Sequence, residues 1–393
     1  MIRGSAVLLI GLAAALLAIA VGPAAGGTLV VAQDGHGNAK DCDAPTPTPY
    51  TTVGSAVAAA RPHDVIKICP GTYQEQLTIA KPLTLRGESG AVLKPSGMVA
   101  NTTSLVTGTA LATVIVVDGV TRVSIEGLTI DGADNGISGC PLPAQVPVPD
   151  LFGVFYRNAS GTLRDGAIRN MRLGPALADC RGGTAILIQS GNGGRSVVAI
   201  EGNSIHGFQR NGITANEAGT LVYIRRNVVT GLGPTTGAVQ NGIQVARGAT
   251  GAVDDNVVTQ TISANCVDAA TCAANASSVI IGSGTTDVRV TRNVLGGSQT
   301  GIAVFGDGNR VRDNIIFDTL VFDGIYVEGG GNDVQGNTIT RSDESGIFVA
   351  GDGNRVQHNR INEAPIGLLD GGAGNTFRNN TILNTPLPGP VAP

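Results

Sequence analysis

Tryptophan is missing from this 393-residue chain, aromatic residues make up 3% of it and charged residues only 14%. A core built on rings is excluded, and so is a surface that works by strong charge. The formal net charge of −4 supplies no basic field, which argues against nucleic acid or anionic lipid as a partner. Three Met and four His, the latter scattered at His36, His63, His206 and His358, offer no spacing suited to copper or zinc. No metal site is expected and no cofactor is required, with calcium held by oxygen ligands as the open case. What remains is aliphatic and turn-rich: hydrophobic residues reach 42%, mostly Val, Ile, Leu and Ala, and Gly occupies 57 positions. The length would hold two or three ordinary domains or one long repeat array, and this composition favours the array.

Arg3, an apolar run over residues 6–21 and small residues at 22–27 read as a signal peptide, with a mature chain that is secreted or held in the cell envelope. The run is shorter than the ~20 residues a spanning helix needs, and no later stretch is long enough, so no transmembrane segment is expected in the mature chain. Cysteines in an exported chain are expected to pair. Cys42 with Cys69, Cys140 with Cys180 and Cys266 with Cys272 are the local pairings, which close short loops without a strand crossing the array.

Near the C-terminus four segments align without gaps, starting at Gly301, Gly324, Gly346 and Gly367, at steps of 23, 22 and 21 residues. Each opens on Gly and an aliphatic residue. One Asn follows eight positions on (Asn309, Asn332, Asn354, Asn375) and another five later (Asn314, Asn337, Asn359, Asn380). Within a segment the hydrophobic residues alternate briefly, as at Ile325 and Val327, Val334, then Ile339, which is period two broken by turns. Three short strands per repeat cannot bury their inward side chains alone, but coils stacked ~4.8 Å apart pair each strand with its equivalents and fill the interior with Ile, Val and Leu. The predicted fold is all-β, a right-handed parallel β-helix of three-strand coils on a repeat of about 22 residues. The Asn residues are expected at the corners, their amides bonding along the stack. The same grammar runs upstream with insertions at 139–151, 231–239 and 261–277.

An open solenoid must hide its end strands. Residues 50–60 are Ala-rich, with Thr51 or Thr52 placed to cap a short helix over the column end. Four prolines, Pro386, Pro388, Pro390 and Pro393, stop strand propagation at the other end. The expected organisation is a signal peptide at 1–25, a cap with the first coils at 28–122, repeats at 123–384 and a Pro-rich tail at 385–393, in a monomer.

Tyr50, Asp64, Val65, Ile66, Cys69, Pro70, Gly71, Thr72 and Tyr73, followed by residues 83–87, resemble the entry segment of bacterial β-helix proteins of the pectin-lyase-like superfamily, and the Gly-Ile and Asn repeats resemble their parallel β-helix repeats. The likeness covers roughly residues 28–384. It implies the fold but not one activity, because the superfamily includes polysaccharide lyases, glycoside hydrolases, esterases, epimerases, a copper-site maturation protein of the nitrous-oxide reductase system, tailspikes and adhesins. The calcium-holding aspartate cluster of its lyases and the Asp-Pro-His signature of its epimerases have no counterpart here. Asp254 and Asp255 are adjacent, as in its polygalacturonases, but no matching His or basic trio follows, and both are read as structural or solvated.

With Ile213, Ile243, Ile302, Ile325 and Ile347 inward, the outward side chains of the first strands form two patches. In the middle, Leu187, Gln189, Thr214, Asn216 and Gln244 make a mostly neutral strip overlooked by His206, Gln209, Arg210 and Asn211. Toward the C-terminus, Tyr326 and Phe348 stand beside Glu328, with Asp323, Asp343 and Glu344 in the preceding turns. Aromatic faces and amides suit a sugar, so a polysaccharide or envelope glycan is the expected partner; an ordinary aromatic ladder is the alternative for Tyr326 over Phe348. If the chain is an enzyme, Glu328 with Asp323 or Asp343 is the candidate carboxylate pair for glycoside hydrolysis. His206 with Arg210 and Glu217 is the candidate set for proton abstraction from a uronic acid, as in a lyase. The alternative to both is a non-catalytic envelope or adhesion scaffold.

Overall fold

A computed structural model describes residues 26–140, 148–237, 239–268, 272 and 276–392. The expected signal peptide at 1–25 lies outside the described residues, as do 141–147 and parts of the insertion at 261–277.

The chain winds as a right-handed parallel β-helix with three strands to a coil, giving sheets of 12, 13 and 12 strands, here called first, second and third by their order within a coil; all pair in parallel except Thr102–Thr103 at the side of the first. Alternation along each first strand sends one aliphatic side chain inward at every coil. Leu77, Ile115, Val154, Ile186, Ile213, Ile243, Val279, Ile302, Ile325, Ile347 and Leu368 therefore form one in-register column. None of them is more than 2% exposed. The second sheet contributes Ile66 through Val356 and the third Ile130 through Ile361, and the three columns meet in one continuous core. Each such side chain gains roughly 1.5–3 kcal/mol on burial, which is realised only when the neighbouring coil is present.

The corners keep the coils in register. Between second and third strands a residue of positive φ (Arg226, Asp255, Arg292, Asp313) precedes an Asn. The eight asparagines Asn203, Asn227, Asn256, Asn293, Asn314, Asn337, Asn359 and Asn380 then bond in sequence, each backbone N–H donating to the Oδ1 of the next at 2.9–3.0 Å. Asn309, Asn332, Asn354 and Asn375 form a second ladder at the corner between first and second strands.

At the N-terminal end the helix Val53–Ala59 plugs the column: Thr52 caps it, and Val53, Ala56 and Val57 are buried in the core. Glu75, from the first coil, accepts hydrogen bonds from the Val53 and Gly54 amides at 2.7 Å each, filling the orphan donors of the first turn. Glu75→Ala is expected to lower the unfolding free energy by about 1–3 kcal/mol in urea titration, because two buried-side donors lose a charged acceptor. At the other end the tail does more than stop. Leu387 and Val391 bridge to Ile366 and Leu369, laying the Pro-rich segment along the last strand of the first sheet. The three disulfides join Cys42 to Cys69, Cys140 to Cys180 and Cys266 to Cys272. No helix among the described residues is long and apolar enough to cross a membrane.

Candidate functional site

The three outer faces differ in how much of their polarity is already used. On the second sheet Arg86, Glu126, Arg164, Glu201, Arg225 and Asp254 alternate in sign down one in-register column. Glu126 pairs with Arg164 at 2.9 Å, Asp254 with Arg289 at 2.7 Å, and Asp333 with both Arg312 and Arg355. Burial alone would raise the pKa of Glu126 and Asp333, but their hydrogen bonds, from Ser124 and Arg164 to the first and from two guanidinium groups to the second, hold both below the ordinary carboxylate range. Asp255 likewise pairs with Arg292 at 2.8 Å, so the Asp254–Asp255 pair is structural in this fold. Apart from Arg225, which lies over the Tyr223 ring at 4.9 Å, this column is electrically closed by ion pairs.

The outer face of the first sheet is not. Its middle strip forms the floor of a pocket of about 230 Å³, with Leu187, Gln189, Thr214, Asn216, Gln244 and Arg210 among its lining. Gln189, Asn211 and Thr214 are each only 5% exposed, so the strip is recessed rather than flat. Leu111, Phe152, Phe155 and Leu187, the last a member of the strip, pack into an apolar cluster on the same face, and Leu111, Phe152 and Leu187 line the pocket beside the amides. Asn211 donates to Thr214 Oγ1 at 2.9 Å, and Gln244 donates to Asn216 Oδ1 at 3.2 Å, a chain of amides with donor and acceptor capacity left over.

Two charged groups end this strip. Asp150 is 4% exposed and accepts a hydrogen bond from the Gly183 amide at 3.3 Å. Burial pushes its carboxyl up to about 6, against the charge of Arg210 and the amide, which pull the other way. The Arg210 guanidinium makes no hydrogen bond or ion pair with any described residue. Sequence reasoning missed Asp150 because it adjoins the Pro-rich insertion, which was expected to run to residue 151; the structure instead starts a first-sheet strand there, Asp150–Arg157.

Other expected constellations are taken apart by the topology. His206 ends the third-sheet strand Ser204–His206 and points outward in register with Arg169, whereas Arg210 turns the corner into the first-sheet pocket. Glu217 lies past the end of the next first-sheet strand, paired with Arg247 at 3.4 Å. The three do not meet. Tyr326 and Phe348 do stand on adjacent coils, and Phe305 extends them into a ladder with ring centroids 5.9 and 5.4 Å apart, edge to face. Tyr326 Oη donates to Glu328 Oε2 at 3.0 Å, leaving Glu328 exposed. Asp323 is the corrected member of that set: it is 3% exposed, bonded to Ser345 Oγ, and pushed up to about 7 by burial. Five residues of largely extended chain separate it from Glu328, on the order of 15 Å, which exceeds the ~5–9.5 Å needed across a glycosidic bond. Asp343 is exposed in the corner on the same far side.

A larger cavity of about 600 Å³ lies at the corner between third and first sheets, with Asn135, Ile137, Leu173, Gln209 and Leu232 in its lining. Its amides are spent: Asn135 donates to the Gly132 and Arg172 carbonyls, and Gln209 to those of Leu177, Ala178 and Cys180.

These features define the fold class: the chain is a right-handed parallel β-helix protein. A family model described as periplasmic copper-binding protein (NosD) matches residues 198–386. Among the described residues no three His, Cys, Asp or Glu side chains converge on a metal position, the four His lie on separate elements, and Met98 and Met171 are buried in the core. No curated protein matches the sequence. Among solved structures, a lacto-N-biosidase from Eubacterium ramulus superposes with a TM-score of 0.57 at 13% identity over 91% of this chain and 67% of that one. XylC in complex with xylose gives 0.55 at 10% identity over 91% and 86%. The DFA-IIIase of Arthrobacter chlorophenolicus A6 gives 0.52 at 16% over 84% and 94%. Identities this low establish the shared fold and leave the chemistry to the residues.

Proposed function

We propose that this chain is an exported protein whose first-sheet face binds a polysaccharide or envelope glycan. The observation that carries the reading is the recessed amide strip beside an apolar patch in one pocket, the combination that a sugar's hydroxyls and C–H faces require. Thr214 and Tyr326 stand four coils apart in one outward column, about 19 Å, so the pocket and the aromatic ladder are in reach of one oligosaccharide. Three disulfides fit an oxidising compartment, and three carbohydrate-active relatives in fold are consistent with this use of the face. The pocket lining holds one carboxylate, Asp150, where hydrolysis by the usual route wants two. That favours binding over cleavage, and it is also what a non-catalytic adhesion scaffold would have.

Affinity gels containing polygalacturonate, alginate, xylan or mixed-linkage β-glucan test the reading. At least one is expected to retard the protein, and Gln244→Ala is expected to weaken that interaction about 5–10-fold, the loss of one hydrogen-bonding amide. Retardation by none of the four would leave the scaffold reading in its place.

A further inference from the structure

The groove on the first sheet is open at one end and shut at the other. Down the outward column, Val116 and Phe155 are 1% and 0% exposed, and Leu187 and Thr214 are 6% and 5%. Gln244 and Ile280, the next two positions, emerge part-exposed, and after the small, buried Ala303 the column is part-exposed again at Tyr326. What covers the early coils is a hairpin at residues 101–111, in which Thr102 and Thr103 pair antiparallel with Leu111 and Ala110.

This hairpin is fastened to three successive coils and to the turn after them. The Asn101 side chain bonds both the amide and the carbonyl of Thr113 at 3.0 Å. Arg157 Nε donates to the Thr103 carbonyl at 3.1 Å, and Gln189 Oε1 accepts from the Leu105 amide at 2.9 Å. Leu105 rests on Gly191, where an added Cβ would lie 2.7 Å from the Leu105 Cβ. Four anchors on separate backbone segments make a wall. A glycan lying along the column from the aromatic ladder meets it beyond Thr214, in a space of about 230 Å³. That is less than the ~300–1,000 Å³ of pockets that enclose drug-sized ligands, a size matched to one sugar ring.

We infer that this pocket takes the terminal sugar of a glycan chain and refuses interior ones, with the hairpin as the element that sets the rule; the inference rests on the glycan reading above. The terminal ring lies over Leu111, Phe152 and Leu187 and turns its hydroxyls to Thr214, Asn216 and Gln244. The remainder of the chain leaves toward Tyr326.

The test compares polygalacturonate, alginate, xylan and mixed-linkage β-glucan, each intact and cut by partial acid hydrolysis to about one tenth of its length, as competitors at equal mass. Recognition of ends makes competition per unit mass rise about tenfold on cutting, because the number of ends rises in that ratio. Competition that is unchanged or weaker after cutting overturns the chain-end inference and leaves glycan binding standing. If none of the four binds, the glycan reading itself falls. The double variant Asn101→Ala/Leu105→Gly, which loosens the hairpin outside the sugar-facing residues, is expected to bring the tenfold ratio toward one; a folded variant that keeps the full ratio overturns the hairpin as the wall. The wild-type comparison decides the inference even if that variant does not fold.

Discussion

Asn293→Ala is expected to destabilise the protein by about 3–5 kcal/mol, measured as the shift in urea midpoint at constant slope. Asn293 is fully buried at the corner between second and third strands. Its Nδ2 donates to the Val253 carbonyl at 2.8 Å and to Asn314 Oδ1 at 3.0 Å, while its Oδ1 accepts from both the backbone and side-chain nitrogens of Asn256 at 2.9 and 3.0 Å. Truncation therefore strips the buried Asn256 backbone N–H of its acceptor and the Val253 carbonyl of its amide donor, while Asn256 Nδ2 keeps the Ile224 and Asp254 carbonyls. The other Asn ladder is less complete, since Asn332 Nδ2 and Asn354 Nδ2 have no protein acceptor. Asn332→Ala is accordingly expected to be the milder change, and equal losses at the two corners would contradict this account of the ladders.

The second large effect is on the pH dependence of stability. Burial raises the Asp323 carboxyl to about 7, opposed by the Ser345 hydrogen bond and reinforced by the nearby Glu344 charge. A group that holds its proton more tightly when folded stabilises the fold fully below its unfolded pKa of about 4, and that contribution is lost as pH rises through the folded value. A shift of about three units corresponds to on the order of 4 kcal/mol lost between pH 4 and pH 8. Asp150, raised to about 6 chiefly by burial, acts in the same direction. The ion-paired Glu126, Asp131 and Asp333 have lowered values and act oppositely, destabilising the fold only at lower pH. Asp323→Asn keeps a polar partner for Ser345 without the titrating proton. It is expected to be the more stable protein at pH 8 and to lose the larger part of the slope between pH 5 and pH 8; a slope equal to that of the wild type would show that Asp323 is not its source.

The residues that repeat locally were the legible ones. Ile302, Ile325 and Ile347, the corner asparagines and the three cysteine pairs each recur or close within about one or two coils, so spacing alone places them. What depends on register was hidden. The alternating charges from Arg86 to Asp254 are scattered through the chain and become neighbours only once the coils are stacked. Asp323 and Glu328 look adjacent in the chain, yet they flank opposite ends of the extended strand Ile325–Val327. His206 and Arg210, four residues apart, are separated by a corner that turns one outward on the third sheet and the other into the pocket. The hairpin over that pocket has a two-residue strand, Thr102–Thr103, too short to leave a period. Asp150 follows a run of prolines that reads as loop, although a strand can begin immediately after Pro.

Every one of these placements depends on coils stacking in register, and spin-label distances down one outer column measure that directly. On the third sheet, Ser204, Val257, Ile315 and Arg360 lie in a single outward column, with Val257 two coils, Ile315 four and Arg360 six coils beyond Ser204. Label pairs from position 204 to positions 257, 315 and 360 are predicted to lie about 10, 19 and 29 Å apart, a linear rise of ~4.8 Å per coil. Distances that fail to grow in proportion to coil number would contradict the parallel stack and, with it, the face on which the glycan site is built.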